Sequence, residues 1–334
     1  MGINMIDMKQ SNAQTVLWAL SSCKSSTVKD LAGLTGLSYA TVGNLLNYFV
    51  NSKEVILGEM LSATGGRPSQ SYTFNAEYAY VLVFSARVRE GKHYIHACVG
   101  NLYGEVVWQT EQCFDDIRIT SFEALLDLSL RAYPNISILA FSLPGVARDG
   151  VILTNDYKEL EGVSFTEHFQ RKYHLPAIIE NDVNAAVFGY SKRIEDDSVV
   201  VGIYFPKYFG PGAGTVIDGK ILKGAFGFAG EVFLLPLGID WITINYEKPQ
   251  EIGPAIAGLI SVFCGIVNPE HVVLYGDFFT EEVKKAIEQK LSTLALQGIY
   301  PSIVYQCDLN PDIIAGLMTQ AVSAYQSGVR GDTI

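Results

Sequence analysis

The sequence predicts a mixed α/β chain in which a winged helix-turn-helix precedes a body built by internal duplication. Three observations carry that expectation. Within the first 50 residues a capped short helix, a glycine-containing turn and a second capped helix follow one another. Further on, two three-strand meanders open two successive stretches of mixed helices and strands. Finally, 49% of the 334 residues are hydrophobic, with 31 glycines and only 12 prolines, a composition suited to ordered domains with two or three cores.

In the first unit, residues 1–76, Ser11-Asn12-Ala13-Gln14 opens an amphipathic helix through Leu20. Thr27 has the residue type and position to cap a short helix, Val28–Gly33, and Ser38 to cap a longer one, Tyr39–Val50, with Gly36 in the turn between them. Val28, Leu31, Ala32, Leu37, Val42, Leu45 and Leu46 fall where the helices pack together. Ser38, Tyr39, Thr41 and Asn44 fall at the N-terminal end of the second helix, the part that reaches base edges when such a helix lies in the major groove. Glu54–Leu57 and Gln70–Phe74 alternate as two wing strands around Gly65-Gly66-Arg67-Pro68. Arg67, held extended by the proline after it, suits entry into a narrow A·T minor groove. An ordinary helical hairpin followed by a flexible linker carries the same local pattern.

In the body, Tyr80–Ala86, His93–Val99 and Glu105–Gln109 read as a meander. Helix Ser121–Ala132, strand Ile136–Ser142, helix Phe165–Tyr173, strand Ala177–Glu180 and helix Val183–Lys192 follow. A second meander comprises Ser198–Phe205, Gly212–Ile217 and Lys220–Leu222, with Asp218-Gly219 as its hairpin turn. Helices Glu281–Leu294 and Asp312–Ser327 complete the chain before a frayed tail. The expected division is 1–76, then 77–195 with the closing helix 311–334, then 196–310.

Charge and cysteines narrow the function classes. The net charge is −11, but residues 1–76 hold five basic against four acidic side chains, a balance of +1, and the rest carries −12. Screening over about 8 Å keeps distant acids from vetoing a local DNA contact. One net positive charge still implies modest non-specific affinity and a paired binding mode. The five cysteines show no CxxC spacing and read as reduced thiols of a cytoplasmic protein. No apolar run reaches the ~18 residues of a membrane span, and MGINMIDMKQ lacks the pattern of a secretion signal.

Several blocks together resemble the ROK family, which joins bacterial sugar kinases to repressors on the same fold. They are the Gly65-Gly66-Arg67-Pro68 tip behind a helix-turn-helix, Leu143-Pro144-Gly145-Val146, and Glu180-Asn181-Asp182-Val183-Asn184-Ala185-Ala186. Gly210-Pro211-Gly212-Ala213-Gly214, Phe228-Ala229-Gly230-Glu231 and Asn268-Pro269-Glu270-His271-Val272-Val273-Leu274 continue the series. The resemblance covers nearly the whole chain and implies a duplicated actin-like (ribonuclease H-like) ATPase fold behind the winged helix-turn-helix. It also implies sugar contacts from Gly145, Asn155, Asn181, Asp182 and Glu231, with Asp182 in the position of the base that takes a proton from a sugar hydroxyl. The plainer alternative is that Asp182 caps the following helix.

Departures from the family pattern shape the functional expectation. Kinases of the family carry an Asp-x-Gly-Gly-Thr turn whose backbone approaches the ATP phosphates. Here the stretch is Phe84-Ser85-Ala86-Arg87-Val88-Arg89-Glu90, without a glycine pair. Arg87 and Arg89 there read as a solvated strand end, with anion attraction as the alternative. Tyr208-Phe209 replaces a Gly-Thr and is expected to occlude the second phosphate loop. The family's histidine after Ala-Gly-Glu is Leu234, and the cysteine-rich zinc segment is replaced by Pro236-Leu237-Gly238-Ile239-Asp240-Trp241. The expectation is therefore a repressor of carbohydrate genes that binds double-stranded operator DNA and a sugar effector. It is expected to use neither ATP nor zinc, to have no membrane partner, and to act as a homodimer or homotetramer. An active sugar kinase with a DNA-binding head, or an effector-free regulator using the body as a dimerisation scaffold, are the alternatives.

Overall fold

The computed structural model of the chain describes residues 5–61, 68–89, 91–194, 198–206, 209–294 and 300–328. The head comprises α1 (Met5–Cys23), β1 (Ser25–Thr27), α2 (Val28–Thr35), α3 (Tyr39–Asn51), β2 (Val55–Leu61) and β3 (Ser69–Phe74). Both expected caps form. The Thr27 hydroxyl accepts from Asp30 N–H at 3.3 Å and donates to the Asp30 carboxylate at 2.7 Å. The Ser38 hydroxyl accepts from Thr41 N–H at 3.1 Å. Gly36 ends α2 in the left-handed region at φ 70°, returning its N–H to Ala32 O. Val28, Leu31, Val42 and Leu46 are buried, with Ala32, Leu37 and Leu45 packed against them. The strands form an antiparallel sheet in the order β1-β3-β2. One boundary departs from expectation: α1 begins at Met5 and passes through Ser11 and Asn12, which do not cap it, since cap propensity is only a weak local preference.

The next stretch contains β4 (Tyr80–Arg89), β5 (Lys92–Gly100), β6 (Val106–Phe114), α4 (Ile119–Ala132), β7 (Ile136–Leu143), β8 (Gly145–Arg148), β9 (Val151–Asn155), α5 (Phe165–Tyr173), β10 (Ala177–Asn181) and α6 (Asp182–Ile194). Then come β11 (Val200–Tyr204), β12 (Gly212–Ile217), β13 (Lys220–Ile221), α7 (Pro249–Ile266), β14 (His271–Tyr275), α8 (Glu281–Leu294), β15 (Ser302–Gln306) and α9 (Asn310–Gln326). The duplication is explicit in the sheet orders, β10-β7-β4-β5-β6 and β15-β14-β11-β12-β13. In each, the first strand of the meander pairs antiparallel with the second and parallel with the strand that follows a helix. Both faces are covered, so alternate residues enter different cores: Val81 and Val83 one, Leu82 and Phe84 the other.

The helices after the two fifth strands cross between the sheets. Helix α6 packs on β11 and β12, whereas α9 packs on β4 and β7. Their backbones meet at two glycines. A Cβ on Gly189 would stand 2.0 Å from Asp312 O, and one on Gly316 would stand 2.0 Å from Ala185 O. Helix α6, expected with the first lobe, thus serves the second sheet.

By length and composition alone α7 is long and apolar enough to cross a membrane, although its 18 residues include Gln250 and Glu251 and are not an unbroken apolar run. In the fold, however, its Ile252, Ile256, Leu259 and Ile260 are buried in the core of the second lobe.

Candidate functional site

Two regions bear on function: the outer face of α3 and the cleft where the two lobes face each other. On α3, Ser38, Tyr39 and Asn44 are exposed and Thr41 is half-buried. Tyr39 is 65% exposed, far more than packing would leave it. The Ser38 and Thr41 hydroxyls lie 2.8 Å apart, which fixes the start of the helix. Asn47 and Tyr48 extend the same exposed surface one turn further, two residues not singled out in the sequence although the helical period puts them there. Arg67 lies outside the described residues.

The cleft is built at the carboxyl ends of β7, β9 and β10, where ligands of open α/β sheets bind. Gly145 sits at φ 105°, and a Cβ there would stand 2.3 Å from Thr154 O, so only glycine permits the β8–β9 hairpin at this point. Its carbonyl accepts from Asn181 Nδ2 at 3.0 Å. Asn155, register partner of Gly145, donates from Nδ2 to Pro144 O at 2.6 Å and accepts Tyr157 N–H at 2.8 Å. Asn181 Oδ1 accepts Asn184 N–H at 3.0 Å. Asn181, not Asp182, therefore caps α6. Asp182 is the first helical residue, with Oδ1 on Val183 N–H at 2.9 Å.

From the second lobe, Glu231 follows Gly230, whose φ of 104° lets the chain pass against Ala213. Asp182 and Glu231 do share one electrostatic environment, together with Asp156, which the sequence reading missed. Burial raises the Asp182 pKa to about 6, and the Asp156 and Glu231 charges push the same way. Burial and Asp156 likewise raise Glu231. Asp156 remains accessible to solvent, yet the surrounding protein still raises its pKa. The signal for Asp156 was its place directly after Asn155 at a strand end. Two tyrosines missed in the same way face these acids: burial, then the neighbouring carboxylates, raise Tyr157 and bring Tyr204 to about 12.

An ion pair joins the lobes at the carboxyl end of β10. Lys223 Nζ lies 2.8 Å from Glu180 Oε2, and Glu180, only 6% exposed, also accepts Asn181 N–H. Gly227 in the same loop lies against Val146 of the first lobe.

The residues present do not fit the phosphate turn or the zinc site implied by the family's kinases. Strand β4 runs unbroken through Phe84–Arg89, in register with β5 to the Arg89–Lys92 pair, with Phe84 and Ala86 buried. Arg87 is not a solvated strand end as expected: it is ion-paired to Glu111 at 2.5 Å and to Asp308 at 3.5 Å. Phe209 is exposed and Tyr208 lies outside the described residues, so the expected aromatic plug is not formed by Phe209. Val232–Leu234 forms a 3₁₀ turn, and no cluster of three or more potential metal ligands exists among the described residues.

The ROK family model matches residues 86–233, the span that holds the Gly145–Asn155 hairpin, the Asn181-Asp182 corner and Glu231. Over that span the chain is similar to the ROK family. A xylose repressor of Caldicellulosiruptor bescii is 28% identical over 361 residues, covering 85% of this chain and 88% of that protein. Among solved structures, a ROK family transcriptional regulator described as a homolog of the E. coli MLC protein superposes with a TM-score of 0.65 at 18% identity. The match covers 94% of this chain and 99% of that one. A ROK family glucokinase from Streptomyces griseus, in complex with glucose and AMPPNP, gives a TM-score of 0.59 at 12% identity over 73% of this chain and 100% of its own. The shared architecture is thus the actin-like ROK body, and the similarity to the regulator extends over the head as well.

Proposed function

We propose that this protein is a cytoplasmic repressor of carbohydrate-utilisation genes whose operator affinity is set by xylose, or a closely related sugar, bound in the cleft. Residues 1–76 read DNA, and the two lobes that follow hold the effector. The observation that carries the reading is the exposed N-terminal end of α3, where Tyr39 and Asn44 stand clear of the core on a helix fixed by the Ser38 cap. Such a helix docks in the major groove, and Asn pairs in bidentate fashion with adenine N6 and N7. Homology to a protein named as a xylose repressor supports the sugar. Asn155 and Asn181 shape the cleft, while Asp182 and Glu231 supply acceptors for hydroxyls. Paired half-sites call for at least a dimer.

The test is operator-fragment binding by fluorescence anisotropy at fixed salt, with and without xylose. Release of the DNA by xylose supports the reading; xylose-independent binding removes the effector. Sugar phosphorylation is the second reading, favoured by one observation, the raised pKa of Asp182 in the position of a base. ATP turnover with xylose or glucose that disappears in Asp182→Ala would establish it. We expect none, because β4 gives the phosphates no glycine turn.

A further inference from the structure

Most hydrogen-bonding groups around the cleft are already committed to the protein itself. Asn155 and Asn181 each use both ends of their amides on backbone groups. Two lysines by the cleft are held by other carboxylates, Lys223 by Glu180 and Lys158 by Glu161, each at 2.8 Å, although the Lys158 charge also reaches Asp156. What remains open is acceptor chemistry. Asp182 has one oxygen on a backbone N–H. Asp156 and Glu231 have no hydrogen-bond donor among the described residues, and all three keep access to solvent. Beside them the Tyr157 hydroxyl is buried, 2% exposed as a residue, and has no hydrogen-bond partner. The Asp156 and Asp182 charges act on it, which places it with the same group.

An ionised carboxylate only accepts hydrogen bonds, so it is satisfied by hydroxyl or ammonium donors and by nothing that brings further negative charge. Charge-assisted bonds to an ammonium are roughly twice as strong as neutral ones. A phosphate ester brings about −1.5 to −2 charges into a site where, among the described residues, the nearby lysines are already paired with carboxylates. Burial holds all three acids above their ordinary range, and the Asp156 charge adds to the rise at Asp182 and Glu231, so a cation relieves the site and an anion adds to its cost.

We propose that the cleft selects its effector by charge: it takes a neutral polyol, takes a polyol with a protonated ring nitrogen more tightly, and rejects phosphate esters and sugar acids. This rests on the reading of the cleft as the effector site. Asp156 is then a specificity-determining residue.

The experiment is titration calorimetry of the full chain with three ligands on one pentose skeleton: xylose, its piperidine imino analogue, and xylose 5-phosphate. The expected order at near-neutral pH is the imino analogue roughly tenfold or more tighter than xylose, with no heat from the phosphate. Asp156→Asn, shown to be folded by its thermal transition, is expected to bring the imino analogue down towards xylose. Equal binding of xylose and the imino analogue, or binding of the phosphate at the strength of xylose, overturns charge selection while leaving a sugar effector in place. Silence from all three ligands overturns the effector reading, and this proposal with it.

Discussion

Asp182 is electrostatically strained in the cleft. Its pKa rises from 3.8 to about 6, so the folded protein holds this proton more tightly than the unfolded chain does. Stability from that group is complete below the unfolded value and is lost as pH rises through about 6. Asp182→Asn, which cannot ionise, is expected to raise stability above neutrality by on the order of 2–3 kcal/mol, with the gain fading towards pH 4. Thermal unfolding across that range checks it, and a variant less stable than the parent at high pH would show that the ionised form is favoured after all. On the head, Asn44→Ala is expected to weaken operator binding by about 1–3 kcal/mol and to relax preference at one base pair without changing stability. Ser38→Ala should instead lose about 1 kcal/mol of stability through the missing cap. Some of this was legible from residues alone. The Thr27 and Ser38 caps follow from local chemistry, and the structure has both. At Asn181-Asp182 two adjacent residues could each cap, and only the backbone path decides that Asn181 does. The Lys223–Glu180 pair was invisible, because nothing local in either segment announces a contact across a cleft.

Among the elements, α6 and α9 form the joint between the lobes. They touch backbone to backbone at Gly189 and Gly316, where no side chain fits. Gly316→Leu is expected to cost more than the 1–3 kcal/mol typical of overpacking, since main-chain atoms cannot step aside as side chains do. Chemical denaturation reads the loss directly; a variant within about 0.5 kcal/mol of the parent would show the joint to be loose. Helix α3 carries no Lys or Arg, so specificity there falls to neutral side chains. With five basic residues in 1–76, the slope of log affinity against log salt is expected to be no steeper than about −5 per head. A steeper slope would mean that the acidic body also touches DNA through its own cations. Periodicity made the elements the most legible level: α5, α8 and β12 have the bounds their patterns suggest. The crossing of α6 to the second sheet was not, because a period shows which face is apolar and not which sheet it meets.

Over the whole molecule, α9 connects the joint between the lobes to the head. At its N-terminal end Asn310 lies 3.0 Å from His96, and Asp312 bonds Tyr275 at 2.9 Å and Arg193 at 2.9 Å. At the other end Gly328 lies beside Gln14 of α1, and Tyr325 shares a core with Val16 and Leu20. The head is also held at Phe74, whose ring lies 5.6 Å from that of Tyr103 in the first lobe. A ligand that favours one lobe arrangement would act on a helix that packs at the joint between the lobes and reaches the head, a geometry that linkage between two binding events can use. The duplicated plan was readable from the paired meanders; the continuity of one core from the head through both lobes was not, since it depends on long-range packing.

The most direct measurement is the operator affinity of the full chain, at one fixed salt concentration, as xylose is added in the absence of any nucleotide. The expected result is a saturable loss of DNA binding that Asp182→Asn shifts to different xylose concentrations and that ATP does not alter. Operator binding unmoved by sugar, or a response that appears only with ATP and is accompanied by its hydrolysis, would contradict the account.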